Sequence, residues 1–282
     1  MGETQRPTVR SRRLGMLLRA VREDRGLTLQ QAARLLNRTP SSLSKLETGT
    51  RGIRRPALEN MLDRYGVTDA ADRDALFALA RDSGKKGWWQ RYEGTLSAST
   101  LDYISLEADA TTIRSFQLHL IPGLLQTEAY VRALIASDVS LGRPPDVDGL
   151  TAIRLRRQQV LSVSDPPHLW AIVSEAVLRQ RVGGAEVMRG QLQRLAEASQ
   201  LSNVTLQVLP YMAGAHAGVN GSFTTLTTND LSVVLVENLT TGWYLEEAGD
   251  IWRHDLVFDH LRATALSPSG SLSVIERIMS DP

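Results

Sequence analysis

The sequence predicts two domains of different class: an all-α domain of five short helices over residues 10–83, then an α+β domain over residues 101–282. Three observations carry that expectation. Up to about residue 82 the apolar residues recur at spacings of three and four, the period of a helix packed on one side. From residue 168 onward, runs rich in β-branched residues alternate with helical segments, as when a sheet and its covering helices share one chain. Charge also divides along the chain. Residues 1–91 hold 19 Lys and Arg against 10 Asp and Glu, and the remainder carries a net −8, although the whole sums to +1. With 282 residues there is chain enough for two separate cores.

Residues 1–9 form a polar arm, expected to be disordered, with Arg6, Arg10, Arg12 and Arg13 in it or beside it. Such an arm is either a solvated tail or a strap along phosphates and a minor groove. A first helix over 11–25 carries Leu14, Leu17, Leu18 and Val21 at i, i+3, i+4 and i+7, and Gly26 ends it. The second begins at Thr28, which forms a capping box with Gln31, and continues through Leu29, Ala32, Ala33 and Leu36. Asn37 suits the left-handed backbone of a tight turn. Thr39 is then an N-cap, and Pro40 follows at the first helical position, where its missing N–H costs nothing. In this third helix Leu43 and Leu46 face inward. Ser41, Ser44, Lys45 and Thr48 form one outward stripe of small hydrogen-bonding residues with a single cation, and Gly49 ends the helix.

The next run, TRGIRRP, crowds Arg51, Arg54 and Arg55 into one loop. Pro56 opens a fourth helix, with Leu58, Met61, Leu62 and Tyr65 on its apolar face and Gly66 at its end. A fifth, over 69–82, places Leu76, Phe77, Leu79 and Ala80 against the others. Residues 84–100 are punctuated by glycine and small polar residues and read as a linker. Its Trp88, Trp89 and Tyr92 either dock on a domain or a dimer mate, or stack on bases.

Residues 27–49, above all the S-x-L-S-K-L-E-x-G run from Ser41, resemble the Cro/repressor-like helix-turn-helix regulators of the xenobiotic-response-element (XRE) type. Asn37 stands where that family commonly has Gly. The resemblance implies that the helix over 39–48 lies in the major groove, while the helix from Thr28 caps a phosphate. It also implies a structural ion pair between Glu47 and Arg22. On this reading Ser41, Ser44 and Lys45 contact bases, the lysine by donating to guanine O6 and N7. Thr28, Gln31, Thr39, Ser42, Arg51 and Arg54 contact phosphates, the two arginines because a loop behind the recognition helix runs beside the backbone.

Residues 101–116 read as a helix with Leu101, Ile104, Ala108 and Ile113 inward. Pro122 and Gly123 make a turn, and Thr127 caps a helix ending near 137. A loop over 142–149 precedes an arginine-bearing helix over 150–161. Strands are expected over 168–173 and 204–209, with helices over 175–182 and 185–199 between them. A hairpin over 222–237 turns at Asn229 and Asp230; a short strand follows Gly242, and helices over 250–265 and 272–279 close the chain. Tyr103-Ile104, Leu106-Glu107, the IPGLLQT run over 121–127, and the later QLQRLAE, VTLQVLP and GSFTTL runs resemble the uncharacterised domain that follows the helix-turn-helix in actinomycete regulators of the WhiJ type. That resemblance implies a transcriptional regulator, often encoded beside a small partner protein that modulates it, and brings no catalytic residues.

Chemistry is otherwise sparse. With no cysteine, disulfides, thiol catalysis and cysteine zinc sites are excluded. The five histidines are scattered; Asp255, Asp259 and His260 share a helix but are flanked by Arg253 and Arg262, and read as a solvated face. The glycine-rich loop over 213–221 lacks the Gly-Lys-Ser/Thr ending of a phosphate loop. Trp170, Tyr211, His216, Phe223 and Trp243 are either the core of the sheet or the lining of a ligand pocket. No enzyme, metal or cofactor is expected. No apolar run reaches 18 residues, so the expectation is a cytoplasmic, nucleoid-associated protein and no membrane partner. The sequence thus points to a regulator that binds a palindromic site on double-stranded DNA as a homodimer, its C-terminal domain serving dimerisation and the sensing of an effector or partner. The alternative is an antitoxin-like adaptor that grips a small partner protein, its DNA binding mainly autoregulatory.

Overall fold

In the computed structural model, which describes residues 7–83, 87–138, 146–238 and 242–280, the chain divides into two units, 1–105 and 106–282. The first unit opens with five helices: α1 (Val9–Asp24), α2 (Leu29–Leu35), α3 (Pro40–Glu47), α4 (Arg55–Tyr65) and α5 (Ala70–Asp82). Side-chain caps start four of them. Thr8, Thr28, Thr39 and Asp69 each accept a backbone N–H from three residues on, and Thr28 and Gln31 close a full capping box. Asn37 does hold a left-handed backbone, at φ 52°. The helix α1 starts before the expected residue 11, because Thr8 caps it and Val9 is buried. The expected arm over 1–9 therefore loses its last residues to the helix, and residues 1–6 lie outside those described.

Leu14, Leu18, Ala32, Ala33, Leu43, Leu46, Leu58, Met61, Leu62 and Leu79 are buried in this unit. Each large side chain so placed stabilises the fold by about 1.5–3 kcal/mol. Past α5, Trp88 packs edge-on against Trp89 and Tyr92 in a 3-10 turn, both at 6.0 Å between ring centroids. These aromatics dock on one another, and α6 (Ala98–Ala108) begins inside the expected linker, of which residues 84–86 lie outside those described.

The second unit is built on a six-stranded mixed sheet, order β3-β2-β1-β4-β5-β6. Its strands are β1 (Thr112–Gln117), β2 (His168–Ser174), β3 (Val204–Leu209), β4 (Phe223–Thr227), β5 (Ser232–Glu237) and β6 (Gly242–Leu245). The first three run parallel, joined by α7 (Glu128–Ser137) with α8 (Val147–Gln158), and by α9 (Glu175–Arg179) with α10 (Ala185–Ala198). The last three are antiparallel and need no crossover helix. Two final helices, α11 (Ala248–Thr264) and α12 (Pro268–Ser280), complete the α+β fold.

One reading is corrected here. Residues 112–116 are not the end of a helix but the central strand β1, bonded to β2 on one side and β4 on the other. The helix stops at Ala108, which is exposed, whereas Ile113 is buried on the strand. Thr111, Thr112 and Ile113 are β-branched and favour the pleat. Ile113 and Phe116 fall three apart, the spacing of a helix, and Ser115 between them is buried, so polarity does not alternate with the pleat.

Candidate nucleic-acid interface

The helix α3 is held from three directions, and each hold follows from a residue type. Behind it, Arg22 of α1 forks onto Glu47, Nε to Oε1 at 2.7 Å and Nη2 to Oε2 at 3.0 Å, with both side chains under a tenth exposed. The same guanidinium donates to the Leu27 carbonyl at 2.7 Å, so one arginine ties α1, the start of α2 and α3 together. The Glu47 hydrogen bond leads the causes that raise the Arg22 pKa, and its charge is fixed. Tyr65 stands near this pair; burial, then the Glu47 charge, pushes its phenol up to about 12.

Close backbone approach supplies the second hold. A Cβ on Gly15 would lie 2.5 Å from the Glu47 carbonyl oxygen, and one on Gly49 would lie 2.7 Å from the backbone of Ser11 and Arg12. Gly49 also sits at φ +71°, the left-handed turn that ends α3. Third, the last carbonyls of α3 are satisfied locally. Thr48 Oγ1 donates to the Ser44 carbonyl at 2.9 Å, and Thr50 Oγ1 and the Arg51 N–H both donate to the Lys45 carbonyl.

What remains outward is what the sequence reading assigned to bases. Ser41 and Lys45 are exposed and Ser44 half-buried; none of the three side chains makes a hydrogen bond among the described residues. Thr48 leaves the stripe, its hydroxyl spent on the helix end. The residues assigned to phosphates fall in two places. Ser42 and Arg51 are brought together, Arg51 Nη1 donating to Ser42 Oγ at 3.2 Å, with Thr39 one turn earlier as cap and Arg54 exposed at the start of α4. Thr28 and Gln31 stand at the start of α2. The Thr28 hydroxyl is committed to Gln31 Oε1 at 2.8 Å, so the donors left to meet an oxyanion there are the Gln31 amide nitrogen and the first backbone N–H groups of α2. Arg55 does not join the loop cations; it opens α4 and stacks over Phe77, 4.6 Å from guanidinium to ring centroid.

In the second unit the five aromatic candidates divide. Phe223 is buried, and Trp170 packs against the same core beside Phe116, Phe258 and Leu261. His216 meets Phe116 edge-on at 5.9 Å, and Trp170 Nε1 donates to Gln207 at 2.8 Å. Tyr211 and Trp243 stand at the surface, 58% and 57% exposed. Gly218 of the glycine-rich loop is pressed on Phe116, whose ring would lie 2.2 Å from any Cβ there. Asp255 pairs with Arg114 of β1 at 3.1 Å, and Asp259 with Arg262 at 3.6 Å. Among the described residues no group of three or more acidic or histidine side chains is set to hold a metal ion, and no helix is long and apolar enough to cross a membrane. Sequence reading missed a concave surface between α9, α10 and α12, lined by Leu178, Met188, Leu192 and Ile278 with Arg179 and Arg189.

Comparison with known families matches residues 13–76 to a helix-turn-helix domain and residues 100–277 to a domain of unknown function, DUF5753. No curated protein and no solved structure matches the chain. The N-terminal match covers most of α1, all of α2 to α4 and the first half of α5, the elements that carry and hold α3, so the first unit contains a helix-turn-helix domain, an architecture that binds DNA. The second match spans well over half of the chain, which belongs to the DUF5753 family.

Proposed function

We propose that this protein is a sequence-specific, XRE-type transcriptional regulator of the cytoplasm, without catalysis of its own, that binds duplex DNA as a homodimer through α3. The observation that supports it best is the division of α3 into two faces. Its inner face is locked by Leu43, Leu46 and the Glu47 fork, while Ser41, Ser44 and Lys45 stand outward with their hydrogen-bonding groups unspent. A rigid helix with small polar residues can approach base edges closely, and a lysine among them can donate to guanine. Arg51 and Arg54 supply sequence-independent attraction to phosphates. One eight-residue helix reads few base pairs. Two copies on a two-fold axis read half-sites about 34 Å apart, one turn of DNA, and the operator is palindromic. The second unit serves dimerisation and the sensing of an effector or small partner.

Selection of bound sequences from random duplexes by the full-length protein at near-physiological salt tests this reading. A two-fold symmetric motif is expected. Recovery of no motif, with binding that vanishes as salt rises, would reduce the protein to a non-specific DNA binder.

A further inference from the structure

Three helices of the second unit leave an open cleft between them. Leu178 of α9, Met188 and Leu192 of α10 and Ile278 of α12 form its floor, all four buried, and the cleft holds about 210 Å³. Each wall has its own anchor in the fold, as a preformed site requires. Gln191 of α10, fully buried, donates to the Leu125 carbonyl at 2.8 Å and accepts the Thr127 N–H at 2.7 Å. Ser271 of α12, equally buried, accepts the Val208 N–H of β3 at 2.8 Å. Glu175 of α9 accepts the Tyr211 N–H at 3.1 Å. In the turn from α9 to α10, Gly183 sits at φ +71° and so close to α7 that a Cβ on it would lie 2.8 Å from that of Ala133.

The rim of the cleft is cationic. Arg179, Arg181 and Arg189 line it, and no carboxylate does. Arg179 shares one oxygen of Glu175, at 2.7 and 2.9 Å, and Tyr211 takes the other oxygen of that carboxylate. Arg189 is exposed and makes no hydrogen bond or ion pair among the described residues. An apolar floor under a rim of arginines, with no acid beside it, complements a small organic anion with a hydrocarbon body.

We infer that this cleft binds a small amphipathic carboxylate, with its aryl or alkyl body on the apolar floor and its acid group on Arg189. A guanidinium presents paired N–H donors that match a carboxylate, and Met188 lets the floor adapt to the body it receives. Size narrows the class. An apolar cavity of about 150 Å³ holds a benzene ring, so 210 Å³ takes a ring or a short alkyl chain together with its acid group. That is less than the roughly 300–1,000 Å³ of pockets for drug-sized ligands, which sets aside nucleotides and larger effectors. The inference deepens the effector sensing proposed above; it rests on that reading for its consequence at DNA, though not for the binding itself.

Isothermal titration of the full-length protein with benzoate, phenylacetate, hexanoate and octanoate tests the site. Saturable binding of at least one is expected, with a dissociation constant on the order of 0.1–1 mM for so small a ligand. The amide of the same acid should bind about tenfold more weakly, a comparison that needs no variant. Arg189→Gln should weaken the carboxylate about tenfold and remove most of its preference over the amide. Ala185→Trp, at an exposed position in the lining, should fill the cleft and abolish binding. Both variants change exposed side chains, and their thermal midpoints should match the wild type. The inference is overturned if none of the four acids binds at up to about 10 mM. It is equally overturned by acid and amide of equal affinity, or by an affinity that either variant leaves unchanged. Affinity for a selected duplex, measured with and without the acid, reads the sensing role separately. An acid that binds the cleft and leaves DNA affinity unchanged keeps the site and overturns sensing through it.

Discussion

Each unit contains one buried, forked arginine–glutamate pair, and the two are nearly the same object. Arg22 meets Glu47 at 2.7 and 3.0 Å; Arg157 meets Glu107 at 2.7 and 2.8 Å. Side-chain exposure is 8% and 6% in the first pair, 14% and 2% in the second. The two do different work. Arg22 fixes α3, the helix proposed to face DNA. Arg157 fixes α8 to the end of α6, beside a loop over 121–127 held by amides: Gln126 Nε2 donates to the Ile121 carbonyl, Gln158 Nε2 to Gly123 and Gln126, and Gln191 Nε2 to Leu125. Identical chemistry thus orients a surface helix in one unit and a buried loop in the other. A buried ion pair shows where rigidity is placed, and the role comes from what it holds.

The largest effect that separates the two is removal of one partner. Glu47→Ala and Glu107→Ala each strand a buried guanidinium, which costs about 3–5 kcal/mol. Hydrogen exchange should place the loss in residues 7–83 for the first and in the second unit for the other, with DNA binding lost only in Glu47→Ala. Equal loss of binding in both variants would erase the distinction.

Glycine substitutions sharpen it. Gly15→Ala drives a Cβ to 2.5 Å from the Glu47 carbonyl oxygen, and overpacking of this kind costs about 1–3 kcal/mol despite the better helix propensity of alanine. Gly190 of α10 is exposed with nothing within 4 Å of its Cβ direction, so Gly190→Ala should stabilise by about 0.5–1 kcal/mol. Opposite signs in urea midpoints are the expected outcome.

Alkali probes the surroundings of the first pair. Tyr65, raised to about 12 by burial and then by Glu47, stays protonated in the folded state after the unfolded chain has ionised. Its contribution is complete below about pH 10 and disappears as pH rises through 12. Tyr65→Phe should flatten the fall of stability across that window, read by denaturant melts at stepped pH. A smaller effect falls on the outer face of the domain. Arg51→Ala should weaken binding to all duplexes alike and reduce the salt slope by about one unit, measured by fluorescence anisotropy.

The five helices over 9–82 were legible almost to the residue because their signals are local. The Thr28–Gln31 box, the Asn37 turn, the Thr39-Pro40 start and the Gly49 stop each lie within a few positions of what they control. Even Glu47 and Arg22 could be paired, through the resemblance that the run around α3 carries. Glu107 and Arg157 lie 50 residues apart, and no periodicity joins them. Gly15 looks like a flaw in an amphipathic helix until the α3 backbone is seen beneath it. Thr48 shares the spacing of the stripe assigned to bases, but its side chain turns back on Ser44, a choice of rotamer that spacing does not encode. The strand β1 was hidden by the helix-like spacing of Ile113 and Phe116. Among the five aromatic candidates, composition could not tell Phe223 in the core from Trp243 at an edge strand.

The measurement closest to the central claim compares Lys45→Ala with wild type on a selected site and on random duplex at one salt concentration. If α3 reads bases, the variant loses about 1–3 kcal/mol on the selected site and little beyond one phosphate contact on random DNA, and its preference relaxes at one base position. Equal losses on both duplexes would contradict the account and make Lys45 one more phosphate contact.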